Sequence, residues 1–193
     1  MKEYDRKRKK KEKANQIIIA LILSFLMVGS MLGIMLNEDD QTFKYKDYKF
    51  RLTDQGYTSK INGKQFYFSY LPDEIEQFEI TDEYCQNLKS VSQINILFEP
   101  ETQSSGLLDF IRLDMRETYD TNIISSITTN STRYPTYDVM SCDNATALTP
   151  IIFFKEGDNA SLKTENNCLI AQAEGREFLI FRDRILYCYT GVI

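Results

Sequence analysis

Histidine is absent from this 193-residue chain, and proline, at four residues, and glycine, at eight, are scarce. The first absence removes Ser-His-Asp and Cys-His nucleophile machinery, histidine-ligated zinc and histidine-based proton transfer together. Neither Gly-x-Gly-x-x-Gly nor a P-loop occurs, and Gly-x-Ser-x-Gly and Ser-x-x-Lys are missing too. The reading is therefore of a chain with no cofactor and no metal site, in which paired carboxylates are the chemistry left open. No Pro/Gly linker, internal repeat or low-complexity tract follows Leu36, so residues 37–193 suit one domain with one core.

Charge is missing from one long stretch. From Ile17 to Leu36 the chain reads IIIALILSFLMVGSMLGIML, twenty residues whose only polar side chains are two serines. As a helix this run is about 30 Å long, the thickness of a bilayer hydrocarbon core. It lacks the polar stripe of a helix packed in a soluble domain. Residues 1–16 carry eight Lys/Arg against three acids, and Asn37-Glu38-Asp39-Asp40 on the other flank is acidic. The positive-inside rule then predicts a cytoplasmic stub (1–16), a transmembrane helix (17–36) and an extracytoplasmic domain (37–193) in a single-pass protein of the cell membrane. The lipid bilayer is thus its first expected partner.

Two rival readings concern cleavage. A signal peptide cut near Val28-Gly29-Ser30 conflicts with the length of the run and the lack of Ala-x-Ala. A pilin-type leader cut between Ala14 and Asn15 conflicts with the polar, then strand-like, sequence after Leu36. No cysteine lies near the end of the run, which excludes a lipoprotein. Gly29 and Gly33 form a Gly-x-x-x-Gly that would let two anchors pair as a homodimer.

After Leu36 there are fifteen Lys/Arg and twenty-five Asp/Glu, a net charge near −10 that argues against nucleic acid as a partner. All four cysteines also lie there. Cys142 and Cys168 sit at the edges of predicted strands in polar settings, which suits a disulfide between neighbouring strands. Cys85 and Cys188 fall on apolar helical faces, where a second disulfide and two buried thiols are both consistent with the pattern. Asn130, Asn144 and Asn159 are N-glycosylation sequons.

Strands are expected from Phe43 to Leu52, with Phe43 and Tyr45 on one face and Tyr48, Phe50 and Leu52 on the other, separated by a turn or bulge at Lys46-Asp47. Asp54-Gln55-Gly56 and Asn62-Gly63 read as turns, and Gln65–Leu71 as a strand. A helix capped by Thr81 or Asp82 follows, with Tyr84, Cys85, Leu88 and Val91 inward. The pattern then gives a strand with Ile94, Ile96 and Phe98 on one face. Next comes a helix with Leu107/Leu108, Ile111, Met115 and Tyr119 inward and Arg112, Asp114, Arg116 and Glu117 outward. Strands are expected at Asn122–Thr128, Tyr137–Cys142, Pro150–Phe154 and Asn167–Ala173. Arg176–Tyr189 reads as a helix with Arg182-Asp183-Arg184 partly outward, a hairpin there being the alternative.

This order implies an α+β or α/β domain, two or three helices on a mixed sheet. The segment Thr149-Pro150-Ile151-Ile152-Phe153-Phe154-Lys155-Glu156-Gly157 resembles the Thr-Pro strand of thioredoxin-type folds over about forty residues including the strand and helix that follow. With no Cys-x-x-Cys, the resemblance implies a thioredoxin-like core without the redox activity. The functional expectation is a binding or scaffold module acting through a protein partner at the cell surface. A carboxylate-dependent, glycan-processing hydrolase and a subunit of a surface filament or envelope assembly are the alternatives.

Overall fold

The computed structural model describes residues 18–29 and 41–193. Residues 18–29 form helix α1, whose apolar side chains are exposed, Phe25 by 83%. No helix among the described residues is long and apolar enough to cross a membrane. Ile17 and residues 30–36 of the apolar run, Gly33 among them, lie outside the described residues, as do the basic stub and the acidic flank. The folded unit is Thr42–Ile193.

Its first third is a four-stranded antiparallel meander: β1 (Thr42–Tyr45), β2 (Tyr48–Thr53), β3 (Gly56–Ile61) and β4 (Lys64–Phe68). Two-residue turns at Lys46-Asp47, Asp54-Gln55 and Asn62-Gly63 join them. Lys46 (φ 50°), Asn62 (φ 52°) and Gly63 (φ 86°) take the left-handed backbone that tight hairpins favour. Phe43 pairs with Phe50, Phe50 with Ser59 and Ser59 with Phe66. Phe43 therefore shares a face with Phe50, not the opposite face expected, because the turn folds the second strand back onto the first.

The remainder builds a second sheet. Helix α2 (Asp82–Ser90), capped by the Thr81 hydroxyl accepting from Tyr84 N, leads to β5 (Gln93–Phe98), α3 (Ser105–Thr118), β6 (Asn122–Ile127) and β7 (Asp138–Val139). Then follow β8 (Ile151–Glu156), β9 (Ser161–Glu165), β10 (Cys168–Ala173) and α4 (Phe178–Thr190). The strand order is β7-β6-β5-β8-β10-β9, parallel throughout except for β9 at the edge. In β5, residues 94–98 are all buried, as suits a central parallel strand covered on both faces. One mixed sheet was expected and two are present. The early strands alternate and close on themselves through tight turns, leaving the parallel sheet to form separately.

Three packed helices, the number expected at most, serve both sheets. Ile94, Ile96, Phe98, Ile152, Phe154 and Leu169 face the main core, together with Phe178, Phe181 and Ile185 of α4. Tyr187 of α4 stacks on Phe68 at 4.2 Å and meets Phe50 edge-on at 5.9 Å, so α4 also serves as the floor of the meander. A helix packed on both sides has no outward stripe, and Arg182, Asp183 and Arg184, expected to be partly outward, are all buried. On the reverse side of the parallel sheet, Leu97, Ile151 and Cys168 are covered by Met140, Cys142 and Ala145.

Three further sequence readings change. The strand expected at Tyr137–Cys142 is only Asp138–Val139, and Cys142 opens a 3-10 turn, Cys142–Asn144. Strand β9 is absent from the sequence reading. The segment resembling a thioredoxin Thr-Pro strand is β8, parallel to both neighbours and followed by two strands before α4.

Candidate functional site

A well-formed concavity lies beside the N-terminus of α2. Thr81 caps that helix, Glu83 and Asn87 project from its first turns, and Thr164, Asn166 and Asn167 come from the β9–β10 hairpin. Asn166 holds a left-handed φ of 53°, a conformation asparagine tolerates, which lets the hairpin turn in two residues. The cleft has a volume of about 630 Å³ and is closed by Ala147 and by Tyr84, which is almost fully buried. The Tyr84 hydroxyl donates to Ile151 O at 2.8 Å, and burial pushes its phenol well above the ordinary tyrosine range. Tyr84 is thus a neutral wall of the cleft whose hydroxyl proton is engaged by Ile151 O. The lining offers amides and hydroxyls, with Glu83 its one acid.

Open α/β sheets usually bind ligands at the carboxyl ends of their strands, where strand order reverses. Here that place lies between β5 and β8, and the protein's own side chains fill it. Glu156 accepts from Ser104 Oγ at 2.9 Å and from Gln103 N at 3.3 Å, while Glu99 accepts from Glu156 N at 3.0 Å. Ser104 Oγ in turn accepts from Gly175 N at 3.1 Å. A carboxylate therefore sits at the start of α3, where an anionic ligand would otherwise meet free N–H groups. Among the described residues no group of three His, Cys, Asp or Glu could hold a metal ion.

The most strongly perturbed acids lie in α4 and beside it. Asp183 Oδ2 accepts from Ser69 N at 2.6 Å and Tyr70 N at 2.9 Å, and its Oδ1 lies 3.0 Å from Arg182. Burial pushes its carboxyl up to about 7, against the pull of Arg182 and the two backbone donors. Arg182 donates to Tyr67 O at 2.7 Å and pairs with Asp114 at 3.6 Å, whose carboxyl burial also raises. Arg184 donates to Phe78 O, and the Tyr187 hydroxyl to Tyr70 O. Arg182, Asp183, Arg184 and Tyr187 all reach residues 67–78, the end of β4 and the segment that follows it, so this centre fastens the meander to the central helix.

Both candidate cysteine pairs are disulfides in the structure. Cys85 joins Cys188 across α2 and α4, and Cys142 joins Cys168, tying the 140–145 cover to β10. Asn130, Asn144 and Asn159 are exposed, although the Asn144 carbonyl accepts from Ser141 N at 2.8 Å. Gly29 is exposed on α1. On α3, Arg112 and Asp114 are partly buried instead of outward. Arg112 lies over the Tyr137 ring, and Phe110 and Leu113 take the solvent side.

The cleft leaves only faint traces in the sequence: Asn87, a poor helix former inside a nine-residue helix, and Asn166-Asn167, a turn signal. No family model, no curated protein and no solved structure matches this chain.

Proposed function

We propose that the chain is a single-pass, membrane-anchored binding module whose outer domain holds a protein partner in the cleft beside α2. The observation that carries this reading is the lining of that cleft. Asparagine amides both donate and accept, which matches the alternating N–H and C=O groups of an extended polypeptide. Three asparagines and two threonines converge there with a single acid. Hydrolysis of glycans would instead call for two carboxylates about 5–10 Å apart in a cleft. Of the acids that the fold brings together, Glu99 and Glu156 are bound to backbone and helix cap, and Asp114 and Asp183 to Arg182, away from this cleft.

Support for the anchor comes from the uncharged run at 17–36 and the basic-to-acidic change across it. Two disulfides accord with an oxidising compartment outside the cytoplasm. Alkaline extraction of native membranes, followed by protease treatment of intact cells, tests both points: the chain should stay in the membrane and lose its domain to protease. For the cleft, a photocrosslinking residue at Asn87 should capture one discrete protein in native membranes, with none captured from Lys163 on edge strand β9. Capture that is equal at both positions, or absent from both, would refute the site. Turnover of a glycan that is lost on neutralising Glu83 would favour the hydrolase reading.

A further inference from the structure

The four strands of the meander contain no aspartate or glutamate and five Lys/Arg, in a domain that is otherwise strongly acidic. Their register sorts those charges by face. Phe50, Phe66 and Phe68 point into the core, and the alternate positions point away from it. Lys44 pairs directly with Lys49 across β1 and β2. Lys60 follows Ser59, just as Lys49 precedes Ser59's partner Phe50, so the third lysine falls beside the second on β3. Lys49 and Lys60 line the same depression of about 260 Å³, whose floor includes Thr58 and Gln65. Lys44, Lys49 and Lys60 are exposed, and none of the three has a hydrogen bond or ion pair among the described residues. Like charges placed opposite one another on neighbouring strands repel, so this row is matched only when anions lie against it.

We infer that this outer face of the meander rests on anionic phospholipid headgroups of the bilayer that holds the chain. Charge complementarity supplies the attraction, and the length of chain before β1 supplies the proximity. Only five residues, 37–41, separate the apolar run from Thr42, and fully extended they reach at most about 17 Å. Attraction of a cationic patch to an anionic surface acts within about a Debye length, roughly 8 Å at physiological salt, so a tether of this length keeps the face near that range. The inference rests on the anchoring reading for this proximity, and on the sheet register for everything else.

Lysine footprinting of the full chain tests it. The chain is reconstituted in nanodiscs of neutral phospholipid alone, or with a third of the lipid anionic, and acylated briefly before mass spectrometry. Expected is a severalfold slower modification of Lys44, Lys49 and Lys60 in anionic discs, reversed by high salt, with Lys155 and Lys163 unchanged. In the K49E/K60E variant, Lys44 should lose its dependence on anionic lipid. Equal rates in the two discs would overturn the inference. Protection in neutral discs by soluble polyphosphate as strong as that in anionic discs would also overturn it, by assigning the face to a free polyanion. Co-elution of chain and disc reports the anchor separately. Should the chain not enter discs at all, the anchoring reading fails. The same footprint with added anionic vesicles then decides the face.

Discussion

Replacing Asp183 with alanine removes the acceptor that fixes the exit of the meander to the central helix. The carboxylate holds two backbone N–H groups, Ser69 and Tyr70, and lies 3.0 Å from the Arg182 guanidinium, with no solvent exposure. Breaking a buried charge pair by deleting one member costs about 3–5 kcal/mol, and each orphaned N–H adds at most about 1–3 kcal/mol, less here because Ser69 and Tyr70 are only half-buried. These terms overlap. Arg182 also keeps Tyr67 O at 2.7 Å and Asp114 at 3.6 Å, so it is not left wholly unpaired. A net loss of about 4 kcal/mol follows at pH 8, close to half the stability of a domain near the middle of the usual range. Asp183→Asn, which keeps one oxygen for the backbone donors but loses the charge, should cost about half as much. Urea unfolding read by near-UV circular dichroism and tyrosine fluorescence suits a chain with twelve tyrosines and no tryptophan. An alanine variant within about 0.5 kcal/mol of wild type, the range of an ordinary surface change, would refute the reasoning. So would a loss in which hydrogen exchange at residues 69–70 stays as slow as in wild type.

The same carboxyl sets a pH dependence. Its folded value, about 7, lies above the unfolded value near 3.9, so the folded state holds the proton more tightly. That contribution is fully present below about pH 4 and is lost as pH rises to about 7; Asp114, also raised by burial, acts in the same direction. Unfolding free energies measured across this window should fall more steeply with pH in wild type than in Asp183→Asn, and an equal slope would count against it. Replacing both cysteines of a bridge by alanine should destabilise by about 4.7 kcal/mol for Cys85–Cys188, which closes 103 residues, and by about 3.5 kcal/mol for Cys142–Cys168, which closes 26. Denaturation of the two double variants checks that order, and a reversed order would contradict the loop-entropy account. Gly56→Ala should cost more than Gly63→Ala, because a Cβ at Gly56 would lie 2.4 Å from Phe68 O whereas Gly63 has open space. Positive-φ strain is also greater at Gly56 (φ 119°) than at Gly63 (φ 86°), so strain and the clash with β4 act in the same direction, and thermal melts of the pair that gave equal losses would refute this.

Local rules carried the sequence reading where local physics decides. Thr81 caps α2 because a threonine oxygen can reach the N–H of Tyr84, and Asn62-Gly63 turns a hairpin because both residues accept positive φ. The inward positions Leu108, Ile111 and Met115 of α3 followed from helical spacing, since one face of that helix meets the core. Helix α4 defeated the same rule. Its Arg182-Asp183-Arg184 looks like a solvated edge, and a helix wedged between two sheets has no such edge. On α3 the partly buried Arg112 and Asp114, expected outward, leave the solvent side to Phe110 and Leu113. The cleft was illegible because its lining comes from residues eighty positions apart, each unremarkable by itself.

The amino-acid sequence by itself determined the uncharged run at 17–36, the acidic balance that follows it, the absence of histidine chemistry and most strand and turn positions. These depend on composition and on neighbours within a few residues. Only the tertiary structure decided that there are two sheets, that Cys85 meets Cys188, that Asp183 is buried, and that Lys44, Lys49 and Lys60 share one face. Each of those depends on register and packing between segments far apart in the chain, and no local pattern carries that information.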